Sequence, residues 1–136
     1  MVLRGTIKAV LVALLCGGGA AAHAADLIVV CNLHGTSLTP SDVRDLFLGE
    51  KQFAGSSKLV PIDNSAAQAL FLDKVLKMNA AKYATTWAKK SFRDGLNPPL
   101  VAGSDAEALV HLRHTPGACS YVTDTNTGEL LVVVRL

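Results

Sequence analysis

The residues best suited to hold a small ligand follow the first strand that the sequence predicts. Asp26 to Cys31 is a continuous apolar run rich in β-branched residues, which is typical of a strand buried on both faces. The polar loop after it carries Asn32, His34 and Thr36. Because loops at the carboxyl ends of central strands are where α/β sheets bind ligands, we expect these side chains to contact a small anion. The alternative is a solvated loop without a ligand.

Two serines at predicted helix starts are a second source of anion contacts. Asn64 or Ser65 can cap a helix expected from about Ala66 to Lys77, and Ser104 opens the capping box Ser104-Asp105-Ala106-Glu107 before a later helix. The backbone N–H groups of a helix start point toward an anion, and a hydroxyl adds one more donor. Both serines are therefore candidate ligand-binding residues, and capping alone is the alternative explanation for them.

The remaining reactive side chains form weaker patterns. His111 and His114 lie three residues apart on one predicted helix, but a metal site needs a third ligand. His34 is the only other histidine after residue 24, and nothing in the sequence places it nearby. No Gly-x-Ser-x-Gly, His-Glu-x-x-His or cysteine–histidine pattern indicates catalysis. The sequence thus predicts no metal centre, no cofactor and no enzyme activity.

The first 24 residues have the three parts of a cleavable export signal. Two cationic residues come first, a short apolar run follows, and Ala22-His23-Ala24 matches an Ala-x-Ala cleavage site. The apolar run is shorter than the about 20 residues that a membrane span needs. We therefore expect residues 1–24 to be removed and residues 25–136 to form one periplasmic domain without a stable membrane anchor.

Removal of the signal changes both the charge and the cysteine count. The whole chain has 13 cationic and 11 acidic residues, and Arg4 and Lys8 account for the excess. A neutral domain without a basic patch does not indicate binding to nucleic acid or to a membrane surface. Cys31 and Cys119 remain, and in an oxidising compartment they either form one disulfide or stay as two buried thiols.

Helix and strand patterns alternate along the rest of the chain. Thr39 is a natural cap for a first helix, and Asn79 caps a third, in which Tyr83 and Trp87 share one face. Pro61 favours an edge position or a strand end. The alternation predicts an α/β fold with a mixed sheet flanked by about four helices. Besides the first strand, strands are expected at Lys58–Asp63, Ala118–Thr123 and Glu129–Leu136.

Four segments of the chain occur in a recognisable order. They are residues 38–50 (LTPSDVRDLFLGE), 87–99 (WAKKSFRDGLNPP), 103–110 (GSDAEALV) and 115–122 (TPGACSYV). The first resembles the ADIFLGK segment of periplasmic phosphate-binding proteins of ABC uptake systems, and the second is similar to a tryptophan-to-diproline segment of their short relatives. The last two resemble a later helix and a PGAIGYV strand. The resemblance implies one lobe of the type II periplasmic-binding fold.

Two departures from that family bear on ligand binding. The receptors have two lobes that close on the ligand, whereas this chain has length for one, and the similar segments all fall in the second lobe. The family's Arg-x-Asp-Gly-Ser-Gly-Thr-like phosphate segment corresponds to residues 60–68 (VPIDNSAAQ), which lack the arginine and the Ser-Gly-Thr run. The resemblance leaves Asp63 and Ser65 as the remnants of that ligand set.

Two functions are compatible with these observations. The first is a solute-binding-like protein related to phosphate receptors, which binds phosphate or another small anion, with a homodimer as one way to restore a closed cleft. The alternative is a periplasmic protein-interaction or sensor-accessory module, in which a partner protein or a transporter component occupies the former ligand cleft. A single lobe favours the alternative, because a half-exposed ligand is held weakly.

Overall fold

The computed structural model describes residues 26–136. The predicted export signal, residues 1–24, and its cleavage site before Ala25 lie outside the described residues. None of the helices in the described part is both long and apolar enough to cross a membrane. In chain order the elements are β1 (Ile28–Cys31), α1 (Pro40–Phe47), β2 (Phe53–Ala54), β3 (Ser57–Lys58), β4 (Val60–Asn64), α2 (Gln68–Phe71), a π-helix (Leu72–Leu76), α3 (Ala80–Asp94), β5 (Leu100–Ala102), α4 (Asp105–His114), β6 (Ala118–Val122) and β7 (Leu131–Arg135).

Five of these strands form one mixed sheet in the order β5-β4-β6-β1-β7. β4 runs parallel to β5 and β6, whereas β1 runs antiparallel to β6 and β7. Every residue of β1 and β6 is buried, as the apolar run of β1 predicts for a central strand. β2 and β3 pair separately as a short antiparallel hairpin. The expected α/β architecture with a mixed sheet is confirmed.

Helices cover both faces of the sheet and so enclose two cores. On one face, α1, α2, the π-helix and α3 pack around the aromatic rings of Phe47, Phe71 and Tyr121. The rings of Phe71 and Tyr121 stack with their centroids 4.0 Å apart. On the other face, α4 is the helix that contributes to the core, through Ala108, Leu109 and Leu112.

Cys31 and Cys119 form a disulfide between the two central strands. The two cysteines are opposite each other in the β1–β6 register, and both are fully buried. Of the two alternatives that the sequence leaves open, the disulfide is the one present. It joins positions 88 residues apart and therefore ties the first strand to the last parallel strand of the sheet.

The start of α1 follows the local sequence closely. The Thr39 hydroxyl accepts a hydrogen bond from the Asp42 backbone N–H, and the Asp42 carboxylate accepts one from the Thr39 backbone N–H. That backbone hydrogen bond lowers the pKa of the Asp42 carboxyl below its ordinary value. Pro40 occupies the first helical position, where its missing N–H has no cost. The predicted cap is confirmed.

The second helical segment differs from its prediction. The sequence predicts one α-helix from about Ala66 to Lys77, but only α2 is α-helical and the next five residues form the π-helix. The guanidinium of Arg44 donates hydrogen bonds of 3.2 and 2.7 Å to two carbonyl oxygens at its end, those of Val75 and Leu76. Lys77 follows in a left-handed conformation with a φ of 55°. The pattern of residues 66–77 does not indicate this contact, because Arg44 belongs to a different element, α1.

Pro61 lies near the end of a strand, as predicted, but the strand is not at the edge of the sheet. It is the second residue of β4, which lies between β5 and β6. Val60 donates its N–H to the Gly117 carbonyl oxygen beside β6. Backbone groups alternate in direction along a strand, so the backbone nitrogen of Pro61 points toward β5. β5 begins only opposite Ile62. Within the described chain no strand therefore lies opposite the nitrogen of Pro61, and the missing N–H costs the sheet no hydrogen bond.

α3 and α4 begin where the sequence predicts. The side chain of Asn79 accepts a backbone hydrogen bond from α3, and the Ser104 hydroxyl accepts one from the Glu107 N–H at 3.1 Å. The Glu107 carboxylate reaches one residue further back than a standard capping box, to the Gly103 N–H. For α4 the sequence predicts an apolar face of Ala106, Leu109, Val110 and either Leu112 or the stem of Arg113. Leu109 and Leu112 are buried as expected, whereas Ala106 and Val110 are exposed and Ala108 is buried.

Candidate functional site

The two ends of the sheet separate the predicted ligand residues into two groups. Because β1 runs opposite to β4, β5 and β6, the loop after β1 lies at the end where β4 and β6 begin. We name this end the amino edge, formed by residues 32–36, 57–58 and 115–117. We name the other end, where β4, β5 and β6 finish, the carboxyl edge, formed by residues 63–65, 103–105 and 122–124. The amino edge holds Asn32, His34 and Thr36, and the carboxyl edge holds Asp63, Ser65 and Ser104.

Asp63 is held inside the protein at the carboxyl edge and is 2% exposed. The Tyr121 hydroxyl donates to its Oδ1 at 2.8 Å, and the Tyr83 hydroxyl donates to its Oδ2 at 2.8 Å. Burial raises the pKa of the Asp63 carboxyl, although the two hydroxyl hydrogen bonds act in the opposite direction. Burial and the neighbouring carboxyl also raise the pKa of both tyrosines, so both remain donors. Asp63 is therefore unavailable to a ligand in this structure.

Ser65 and Ser104 are both exposed. The Ser65 N–H donates to the Ala102 carbonyl oxygen at 2.9 Å, and the next two N–H groups donate to oxygens of Asn64. The N–H groups that would hold an anion at Ser65 are therefore satisfied within the protein. The Ser104 hydroxyl accepts a hydrogen bond from the Glu107 N–H and is used as the cap of α4.

An internal carboxylate, that of Asp105, occupies the space between the ends of β4 and β6. Its Oδ2 accepts hydrogen bonds of 2.7 to 3.1 Å from the Thr123 hydroxyl and from the N–H groups of Thr123 and Asp124. Its Oδ1 accepts one of 2.6 Å from the Asn64 amide. Desolvation raises the pKa of Asp105, but these hydrogen bonds outweigh it and the pKa is lowered. The carboxylate thus takes the donors that a free anion would need at this edge.

Asn64 and Asp105 were not predicted as a functional pair. In the sequence each is explained locally, Asn64 as a helix cap and Asp105 as an acidic residue in the first turn of a helix. They are 41 residues apart, and the parallel pairing of β4 with β5, in which Asn64 lies opposite Ala102, brings them together. The capping box around Asp105 was the available signal in the sequence, but it does not reveal that Asn64, Thr123 and Asp124 donate hydrogen bonds to the Asp105 carboxylate.

A half-open cleft of about 710 Å³ lies at the amino edge. The loop after β1, the strand β3, the end of α4 and the turn before β7 form its walls. His34, Lys58 and Arg113 line it, and Glu129 is the one acidic residue among its described lining residues. All four side chains are exposed, and within residues 26–136 none of them is part of an ion pair. The cleft therefore carries an excess of positive charge.

Gly117 sets the spacing between two walls of this cleft. Its N–H donates to the Asn32 carbonyl oxygen at 2.9 Å, and its own carbonyl oxygen accepts from the Val60 N–H at 2.9 Å. Its φ is 81°, and a Cβ at this position would overlap the carbonyl oxygen of Lys58. A larger residue would push β3 away from the loop after β1, so glycine is required here.

The three loop residues predicted to bind an anion differ in their surroundings. Asn32 borders the cleft, but its side-chain amide donates to the Leu112 carbonyl oxygen at 2.8 Å and caps the end of α4. Thr36 is partly exposed and does not line the cleft. His34 both lines the cleft and is exposed. Of these three side chains, His34 is the one with an exposed polar group at the cleft.

The paired histidines of α4 have no third partner for a metal in the described chain. Between residues 26 and 136 no three His, Cys, Asp or Glu side chains lie close enough together to share an ion. The Nε2 atom of His111 lies 3.7 Å from the carboxylate of Glu107, one helical turn earlier. His114 is exposed at the end of the same helix.

The fold of this chain is found in a solved structure. The chain matches the crystal structure of PstS from Borrelia burgdorferi with a TM-score of 0.58 and 20% sequence identity, over 80% of this chain and 47% of that one. This chain has the fold of a single periplasmic-binding-protein lobe. An ABC-type phosphate transport receptor from Vibrio cholerae also aligns, with a TM-score of 0.47 and 15% identity over 80% of this chain and 46% of that one.

The similarity extends to the fold and to part of the receptor length. The chain spans about half the length of the two receptors that it matches, and at 20% identity the likeness shows the fold alone. Neither a protein-family model nor a curated protein sequence matches the chain. The expected single lobe of a receptor-like fold is confirmed.

Proposed function

We propose that this chain is a periplasmic solute-binding-like protein whose lobe binds a small anion, such as phosphate, in the amino-edge cleft. The observation that carries the proposal is the meeting of His34, Lys58 and Arg113 around one half-open cleft that has a single carboxylate, Glu129. The receptor-like fold supports a role in solute capture rather than in catalysis.

The charge distribution favours the amino edge over the carboxyl edge. At the carboxyl edge, Asp105 and Glu107 occupy backbone donors with their own negative charges. A second anion 4 Å from such a charge is repelled by about 1 kcal/mol in bulk water and by more near a protein surface. At the amino edge, Lys58 and Arg113 attract an anion instead, and a guanidinium can donate two parallel hydrogen bonds to phosphate oxygens.

The openness of the cleft predicts modest affinity. A cleft of about 710 Å³ is larger than a phosphate ion and is open to solvent, so the ion keeps part of its hydration shell. Lys58 and Arg113 are also exposed, and salt screens exposed charges. We expect dissociation constants between the micromolar and the millimolar range, which increase as the ionic strength is raised.

Isothermal titration calorimetry with phosphate and sulfate at low ionic strength tests the proposal. Arg113→Gln should weaken phosphate binding about tenfold, which corresponds to the loss of one charge-assisted hydrogen bond. Arg135→Gln is the matched control, because it removes the same charge from an exposed position that does not line the cleft. It should change the affinity by less than about twofold.

Three outcomes would contradict the proposal. The absence of heat with both anions at millimolar concentration would exclude the anion site. Equal weakening by Arg113→Gln and Arg135→Gln would mean that net charge, rather than this cleft, holds the anion. The absence of an anion response, combined with a protein recovered by crosslinking in the periplasm, would support the partner-protein alternative.

A further inference from the structure

A second cleft, of about 430 Å³, lies beside the first half of β4. Its floor is the side of Val60 and Pro61 that β5 leaves uncovered, since β5 begins only opposite Ile62. Pro61 has no N–H group, so this floor presents one donor fewer than an ordinary open strand. The volume lies within the range of about 300–1,000 Å³ that is typical of small-molecule sites.

The walls of this second cleft are largely apolar and firmly held. The indole N–H of Trp87 donates to the Phe47 carbonyl oxygen at 3.0 Å, so its polar atom is already satisfied. A Cβ at Gly49 would lie only 3.0 Å from the Trp87 ring, so glycine lets the chain pass close to the indole. Pro98 and Pro99 hold the next segment extended. The walls therefore suit an apolar molecule.

The charged groups at the rim of the second cleft have one sign. Lys51 and Lys58 are the charged residues among its described lining residues, and no carboxylate lines it. Lys51 lies 3.6 Å from the Asp42 carboxylate, whereas Lys58 has no ion pair within residues 26–136. A ligand that fits both features has an apolar body and one negative group placed near Lys58.

We infer that the second cleft binds a small apolar carboxylate, such as a medium-chain fatty acid or an aromatic acid. Its body would lie against the proline and leucine walls, and its carboxylate would lie at Lys58. A peptide that added to β5 would find a strand of only three residues that follows two prolines, a poor template for pairing. The inference is independent of the proposed anion site, apart from Lys58, which borders both clefts.

Trp87 provides a direct reporter for this second cleft, because it lines the cleft and is the one tryptophan of the chain. Titration of the purified protein with hexanoate or benzoate should give a saturable change in its fluorescence at millimolar concentrations or below. Phosphate has no apolar body and should leave the fluorescence unchanged, even where calorimetry detects its binding. The two ligands are thus observed by different signals.

A pair of neighbouring residues in β5 offers a matched set of variants. Leu100 and Val101 are both 55% exposed, but of the two only Leu100 lines the cleft. Leu100→Asp places a charged carboxylate in the wall that contacts the apolar body of the ligand and should weaken hexanoate binding at least about fivefold. Val101→Asp introduces the same charge outside the cleft and should change the affinity by less than about twofold. Circular dichroism confirms that both variants fold.

Further variants separate this site from the amino-edge cleft. Arg113→Gln should weaken phosphate binding and leave hexanoate binding unchanged, whereas Lys58→Gln should weaken both. Loss of hexanoate binding in Arg113→Gln would assign both ligands to the amino-edge cleft and overturn the inference. Unchanged Trp87 fluorescence up to tens of millimolar hexanoate, or equal weakening by the two β5 variants, would also overturn it. A Trp87 spectrum that depends on protein concentration without ligand would mean that a second copy covers the cleft, and this would also overturn the inference.

Discussion

Asp63 and Asp105 are acidic side chains of the same fold whose pKa values move in opposite directions. Asp63 is buried among aromatic rings, and desolvation raises its pKa despite the hydroxyls of Tyr83 and Tyr121. Asp105 is less buried, and its hydrogen bonds from Thr123 and other donors lower its pKa despite desolvation. The number of donors and the depth of burial therefore decide which form of each carboxyl the folded protein favours.

Asp63→Asn should abolish one component of the pH dependence of stability. The folded-state pKa of Asp63 lies above its ordinary value of 3.8, so the folded protein holds this proton more tightly than the unfolded chain does. The stabilisation that protonated Asp63 gives the folded protein is fully present below pH 3.8 and is lost as the pH rises through the folded-state pKa. The difference in unfolding free energy, wild type minus variant, should therefore fall as the pH rises from below 3.8 to neutrality.

Urea denaturation at a series of pH values measures this difference. Asp26→Asn, which removes an exposed carboxyl, is the control for the loss of one negative charge. A difference that grows with rising pH would mean that the tyrosine hydrogen bonds, rather than burial, dominate the energetics of Asp63.

At the scale of elements, the π-helix depends on a donor from another part of the chain. Arg44 lies in α1, and its guanidinium reaches the carbonyl oxygens of Val75 and Leu76 where the π-helix ends. Helix ends leave carbonyl groups without partners inside the helix. Arg44 therefore joins α1 to this segment and supplies the donor that the segment itself lacks.

Arg44→Met should destabilise the protein by about 1–3 kcal/mol, because it keeps much of the aliphatic stem but leaves two partly buried carbonyls without their donor. Arg93→Met is the control, because Arg93 is exposed and its ion-pair partner within residues 26–136 is Asp94, its neighbour in sequence. The control should cost less than about 1 kcal/mol. Thermal or urea unfolding measures both, and an equal loss in the two variants would contradict the role of Arg44.

At the scale of the whole molecule, the disulfide connects elements that are distant in sequence but adjacent in the sheet. Cys31 ends β1 and Cys119 is the second residue of β6, and the two positions are 88 residues apart. A bridge over such a long loop strongly restricts the unfolded chain and has little effect on a folded state in which the strands are already paired. It should therefore contribute a large part of the stability of this domain.

The double variant Cys31→Ala/Cys119→Ala should lose about 3–5 kcal/mol of unfolding free energy relative to the oxidised protein. Urea denaturation measures the loss, and the wild-type protein under reducing conditions provides the comparison, with an expected loss of similar size. Mass spectrometry of the unreduced protein should detect no free thiol at either cysteine. Two free thiols would contradict the disulfide.

The sequence by itself determined the features that depend on near neighbours. The Thr39–Asp42 cap, the cap of α3 by Asn79 and the buried run of β1 all rest on residues within a few positions of one another. Their chemistry is therefore readable without the fold. The order of the motifs also indicated the receptor-like lobe correctly, and the export signal remains a prediction.

The tertiary structure alone decided where these residues meet. The antiparallel direction of β1 places His34 at the opposite end of the sheet from Ser65, although both follow predicted strands. Asp63 faces two tyrosines that lie 20 and 58 residues away, and Asp105 meets a donor 41 residues away. Strand direction and side-chain burial arise from pairing over such separations, which no local pattern encodes. The location of the cationic cleft, and with it the candidate site, is consequently a property of the folded chain.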